Sequence, residues 1–291
     1  MIRGRRVSIQ LKSLCQPKSV GVALLGGFIL ASMAAGPARA QAKLDAKYAV
    51  TLAGVKLGEG SWIIDIGDNQ FSVVASGATT GLARMFGSGQ GRGSSKGAIK
   101  NDQLVPARYD ITIKTGRKAE DVELKLDDGT IKDVSIKPKP PKTPGIVPVT
   151  EAHKRNVLDP MTGSLLRVSG TTDLMDPQVC KQHSAIFDGR MRYDLSLTYK
   201  RREQVDVPGY RGPALVCAIY FSPLAGHVPD RATIKYLVSQ RDMETWLVPI
   251  EGTRVMVPIR VQVPTPLGLG VMEATAFDVR PKGRRASLES Q

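Results

Sequence analysis

The stretch DPQVCKQHSAIFDGRMRYDLSLTYKRREQVDVPGYRGPALVCAIYFSPLAGH, residues 176–227, decides how this chain folds. It holds Cys180 and Cys217, and the third cysteine, Cys15, lies far upstream. Within it Asp188-Gly189 marks a turn, residues 190–199 alternate, a polar loop surrounds Pro208-Gly209, and Ala214 to Phe221 form a second apolar run. Period-two runs separated by turn residues predict a β-hairpin. In an oxidising compartment a Cys180–Cys217 disulfide ties the segment before the hairpin to its second strand; the alternative is a pair of buried free thiols.

The compartment is read from the first forty residues. Arg3, Arg5, Arg6, Lys12 and Lys18 precede an apolar stretch from Val20 to Ala35, and Ala38-Arg39-Ala40 closes it. A basic region, a short apolar region and an A-x-A site predict a secretory signal peptide over residues 1–40 and a periplasmic protein. The apolar region is short and rich in Ala and Gly for a retained bilayer anchor. Arg5-Arg6 raises twin-arginine export, which the following Val7-Ser8-Ile9 match poorly.

The chain has 291 residues and a net charge of +14, and removal of the leader's six basic residues leaves a mature chain near +8. That surplus suits peripheral contact with an anionic membrane surface. An exported chain with 5% aromatic residues is a poor nucleic-acid binder. The expected organisation is one β-rich envelope domain over residues 41–280 and a basic tail over 281–291.

Short branched runs separated by Gly, Pro, Asn and Asp fill the mature chain, and Asp128-Gly129 between two alternating runs predicts a further hairpin. Residues 77–97 are too rich in glycine for a regular core strand; Leu82 to Phe86 within them read as a helical turn or a loop. Lys137-Pro-Lys-Pro-Pro-Lys-Thr-Pro-Gly is an extended link between halves of one sheet. Asp159-Pro160, followed by Met161, Leu165 and Leu166, predicts the one helix, over 157–168. Arg231 to Ser239 reads as another strand, and Pro249 and Pro258 as edges or bends. The fold expected is mainly β: a strongly curved antiparallel sheet, an open barrel or β-spiral, with one short central helix.

The order of Tyr48 to Gly60, Asp128-Gly129, Asp159-Pro160, Phe187-Asp188-Gly189-Arg190-Met191-Arg192-Tyr193-Asp194, and Cys217 followed by Pro223-Leu224-Ala225-Gly226 resembles the exported bacterial family DUF3108 over most of residues 45–280. The resemblance implies a curved β fold in the cell envelope, similar in outline to lipoprotein carriers and envelope-integrity proteins. It implies no catalytic residues.

The search for chemistry yields no catalytic, cofactor or metal site. Gly93-Ser-Ser95-Lys-Gly97 fits a nucleophile-elbow pattern, but without the strand before it and the helix after it. Asp127 and Asp128 are turn residues rather than an acid pair. His153, His183 and His227 stand at no metal-ligand spacing. The function expected is a non-enzymatic envelope protein holding a lipid, an acyl chain or an envelope partner. Its cavity is lined by inward residues such as Trp62, Ile64, Leu165, Leu166, Val216, Ile219 and Trp246, and a plain hydrophobic core is the competing role for each. The alternative function is an envelope hydrolase pairing Ser or Asp with one of the histidines.

Overall fold

A computed structural model describes residues 41–81, 84 and 87–281. The expected signal peptide, the tail beyond Pro281, and Leu82, Ala83, Met85 and Phe86 lie outside the described residues. Alternation builds a first meander of seven strands: β1 (Ala42–Leu52), β2 (Val55–Ile66), β3 (Gln70–Thr79), β4 (Gly89–Lys100), β5 (Gln103–Thr115), β6 (Lys118–Asp127) and β7 (Thr130–Lys137). After a long connection come the two-residue β8 (Leu166–Arg167), then β9 (His183–Phe187), β10 (Arg192–Val207) and β11 (Tyr210–Ala225). The helix α1 (Ala232–Ser239) leads into β12 (Glu244–Pro249), β13 (Val255–Thr265) and β14 (Gly268–Pro281).

The two meanders join through their outermost strands in sequence. The order is β7-β6-β5-β4-β3-β2-β1-β14-β13-β12-β11-β10-β9, antiparallel throughout, with β8 beside the start of β13. On β1 the pleat turns Ala42, Leu44, Ala46 and Tyr48 inward and leaves Lys43 and Lys47 exposed. On β6, Val122, Leu124 and Leu126 do the same. The result is one large, curved, mostly antiparallel sheet whose hydrogen-bonded path does not close.

The connection between the meanders fills the seam between edge strands β7 and β9. Val147 and Gly226–His227 exchange backbone bonds at one end, and Val157 donates to Gly129 O (2.9 Å) at the other. Leu158 lies beside Ile186, donating to Ala185 O and accepting from Phe187 N. Arg190, in the β9–β10 turn, pairs with Glu120 of β6 at 2.6 Å. The proline-rich link thus joins halves of one sheet, as its composition predicts.

Three strands are covered on both faces. Residues 214–218, 244–248 and 255–259 are buried without a break. Val216, Trp246 and Val257 face the main core, while Leu215, Cys217, Leu247 and Met256 pack under Leu166, Val168, Val179 and Cys180. Burial on both faces accounts for continuous apolar runs where a one-sided sheet shows alternation. The Cys180–Cys217 disulfide, with Cα atoms 5.7 Å apart, fastens the covering segment to β11.

Four local expectations are corrected. Residues 157–168 form no α-helix but one 3-10 turn at Thr162–Ser164 followed by β8. The segment crosses from the main core, which takes Leu165, to the disulfide cluster, which takes Leu166, and only an extended chain turns adjacent side chains to opposite sides. The single α-helix among the described residues is α1, read from sequence as a strand because of its branched residues; Ile234 and Leu237, one turn apart, are half-buried. The glycine-rich β4 is a regular strand. A Cβ at Gly97 would stand 2.0 Å from Val105 O, and one at Gly93 would meet Met161 Sδ at 3.2 Å, so its glycines permit close approach. Finally, β10 runs through the expected polar loop to Val207, past a bulge between Tyr199 and Arg201, because its charges are paired within the sheet. Pro249 ends β12 and Pro258 adjoins a bulge, in line with the bends expected.

Candidate binding groove

The connection that fills the seam then turns beneath the sheet, anchored by one carboxylate. Asp159 is fully buried and accepts from Ser95 Oγ (2.9 Å), Thr162 Oγ1 (2.6 Å), Thr162 N (3.0 Å) and Met161 N (2.9 Å). Burial pushes its pKa up, against the pull of these donors. Ser95 is therefore a latch between β4 and the connection. Its hydroxyl is engaged by Asp159 and Thr162, and none of the histidines is among its partners.

A groove of about 780 Å³ opens beside this latch, between the β4–β5 and β6–β7 turns, the connection and the start of β9. Leu104, Val157, Leu165, Leu166, Val168 and Val179 supply its apolar surface, and Asp102, Arg167 and His183 its polar groups. Arg167 Nη2 bonds Asp102 Oδ1 at 3.0 Å, while its buried Nε has no partner among the described residues. The Gly170 N–H and then Arg167 hold the Asp102 carboxyl below its usual range.

The groove also meets the free edge of β9. Leu197 N donates to Gln182 O, and Ser196 stands opposite His183. By the alternation of an antiparallel ladder, Gln182, Ser184 and Ile186 direct their main-chain groups to β10, and His183, Ala185 and Phe187 direct theirs away. Leu158 takes the Ala185 carbonyl and the Phe187 amide. The outward N–H and C=O of His183 remain at the groove.

His183 has side-chain partners too. Its Nδ1 lies 3.1 Å from Ser196 Oγ and its Nε2 3.2 Å from Asp194 Oδ2. This Ser–His–Asp trio lies on neighbouring strands and was not legible as a motif, because register rather than spacing assembles it. Asp194 is also paired with Arg192 at 2.5 Å. The amide after the serine, Leu197 N, is engaged by Gln182 O, so it offers no donor to a developing oxyanion.

The residues expected to line a cavity divide. Ile64, Leu165, Val216 and Trp246 meet in the main core, against which Trp62 packs; Leu166 belongs to the disulfide cluster, and Ile219 is half-buried on β11. Leu165 and Leu166 alone among the seven reach the groove. Trp246 carries a charged lid: Arg201 and Arg260 lie 5.5 and 4.9 Å from its ring centre, and its Nε1 donates to Glu203 at 2.6 Å. Sequence reading missed Arg167 and the β9 edge, since an orphaned nitrogen and an unpaired strand edge exist only after folding. A second concavity, about 940 Å³, lies over β2–β5, but its lining is short or charged and includes the ion-paired Lys56, Glu59 and Asp110.

A protein-family model described as a protein of unknown function, DUF3108, matches residues 47–275. The chain belongs to the DUF3108 family. No curated protein matches this DUF3108 protein. A solved structure, the β-barrel-like protein of domain of unknown function DUF1849 from Brucella abortus, is similar at 12% sequence identity and a TM-score of 0.47; the match covers 84% of this chain and 100% of that one.

Proposed function

We propose that this DUF3108 protein is a non-catalytic, periplasmic binding protein of the bacterial cell envelope that holds an extended peptide segment of a partner protein in the groove beside β9. The observation that carries this reading is the outward N–H and C=O of His183 at a groove with an apolar floor. A peptide laid along β9 pairs with those groups while its side chains reach Leu165 and Leu166, and the Arg167 Nε gives it an anionic contact. A lipid acyl chain is the second reading; it fills the apolar floor and leaves the strand edge unused. The basic leader and the disulfide support the compartment.

A hydrolase is the remaining alternative, favoured by the Ser196–His183–Asp194 trio. One pair of variants separates the readings. His183→Pro removes only an outward-facing N–H, because the β10 ladder does not use it, whereas His183→Ala removes the imidazole and keeps the amide. Native mass spectrometry of protein recovered from envelope fractions is expected to show a co-purifying peptide mass with the wild type and His183→Ala, and none with His183→Pro. A fatty acyl mass indifferent to His183→Pro would replace the peptide by a lipid. Ester hydrolysis by the wild type that His183→Ala abolishes would replace binding by catalysis.

A further inference from the structure

We infer that the end of the sheet opposite the groove docks onto an anionic phospholipid bilayer. Hydrogen bonds from turn to turn define that end: Ala53 N donates to Leu269 O, Thr80 N to Leu57 O, and Gly116 N to Ser88 O. The β13–β14, β1–β2, β3–β4 and β5–β6 turns therefore stand side by side along one rim. The β4–β5 and β6–β7 turns, which border the groove, lie at the other end of the same strands.

The rim has two parts. On the neighbouring β13–β14 and β1–β2 turns, Leu267 is 77%, Val55 52% and Leu269 41% exposed. Gly268, with φ +118, lies against Ala53 with no room for a Cβ (2.7 Å to the Ala53 Cβ), so the two apolar turns are locked together. Next along the rim come exposed basic residues: Arg84 after β3, then Lys114, Arg117 and Lys118 around the β5–β6 turn. The two acids near these turns are neutralised, Glu59 by Lys56 and Glu120 by Arg190.

Apolar side chains at the tip of a rigid hairpin pair gain by entering the acyl boundary, and basic groups beside them gain from anionic headgroups. Neither part suffices alone, since three aliphatic side chains give a weak, reversible anchor. Together they supply the two signals that stable peripheral binding takes. Charge complementarity selects an anionic bilayer over a neutral one, and the docked pose leaves the groove facing away from the membrane.

The test compares the full chain with its variants on vesicles, so that any contribution of residues 1–40 is common to every arm. Co-sedimentation is measured with vesicles containing phosphatidylglycerol and with pure phosphatidylcholine, and the Cys180–Cys217 disulfide reports folding of each variant. Each basic side chain near an anionic surface contributes roughly fivefold. Lys114→Glu with Arg117→Glu and Lys118→Glu is therefore expected to weaken binding to the anionic vesicles on the order of a hundredfold. Leu267→Asp with Val55→Asp is expected to weaken it about tenfold or more. In a Leu267→Trp chain, emission from the introduced indole is expected to shift to the blue on anionic vesicles and to be quenched by brominated lipid. Equal binding by wild type and both charge-altering variants, or indole emission in the Leu267→Trp chain that vesicles leave unchanged, would overturn the inference.

Discussion

Glu244 shows how one side chain can decide pH behaviour. It is mostly buried and takes both guanidinium nitrogens of Arg201 (3.0 and 2.9 Å) and Lys200 Nζ (2.6 Å). The Arg201 hydrogen bonds hold its carboxyl below the usual glutamate range despite its burial. The hydrogen bond from Trp246, and then the one from Arg201, does the same for Glu203. Because both folded values lie below the unfolded value near 4.3, their contribution is present above about pH 4.3 and is lost as pH falls through the lowered values. With Arg201 partly exposed, Glu244→Gln is expected to cost about 1–2 kcal/mol at pH 7. Urea titrations at stepped pH should show that difference shrinking toward zero by roughly pH 2; a constant gap would mean that packing, not charge, is what the variant loses. None of this was legible in advance, because Arg201 and Glu203 read as a solvated loop until the sheet brought Glu244 and Trp246 beside them. Asp159 differs: its turn-forming role was readable from Asp-Pro, but its burial was not.

At the level of elements, alternation located nearly all the strands, and it failed where two faces are buried or where charges point inward. The stretch 214–221 was legible as a strand, and the segment that covers it was not, since nothing in residues 166–182 but Cys180 announces a partner. The disulfide is the fastening of that cover. It closes a separation of 37 residues, for which chain entropy suggests about 4 kcal/mol. Strands β10 and β11 order part of that loop without it, so replacement of both cysteines by serine is expected to cost about 2–4 kcal/mol. The purified chain should show neither Cys180 nor Cys217 reactive with maleimide before reduction, and a lower melting temperature after it. The cover should then be the first site of proteolysis, with cleavage between residues 169 and 182. Cleavage spread evenly over the hairpin turns would assign the bridge no such local role.

The whole molecule was legible as a curved antiparallel sheet but not as a path. Sequence order suggests a simple succession of hairpins. In the structure Ala42 stands opposite Pro281, and the two meanders diverge from that central pair. The predicted cut after Ala40 falls two residues before β1, so an exported chain should begin at Gln41, as N-terminal sequencing of the periplasmic form would show. Retention of residues 1–40 on a folded, membrane-bound chain would instead make that stretch an anchor. Export with the N-terminus leading gives the β1–β14 pairing a consequence in time. Strands β1 to β7 can zip up as they emerge, yet the outer edge of β1 stays unpaired through the delivery of everything between β7 and β14. Throughout that interval the future centre of the sheet is an open, sticky border, and a holding chaperone or a passing copy of the same chain can seize it. The strand that arrives last is the one that shelters the first.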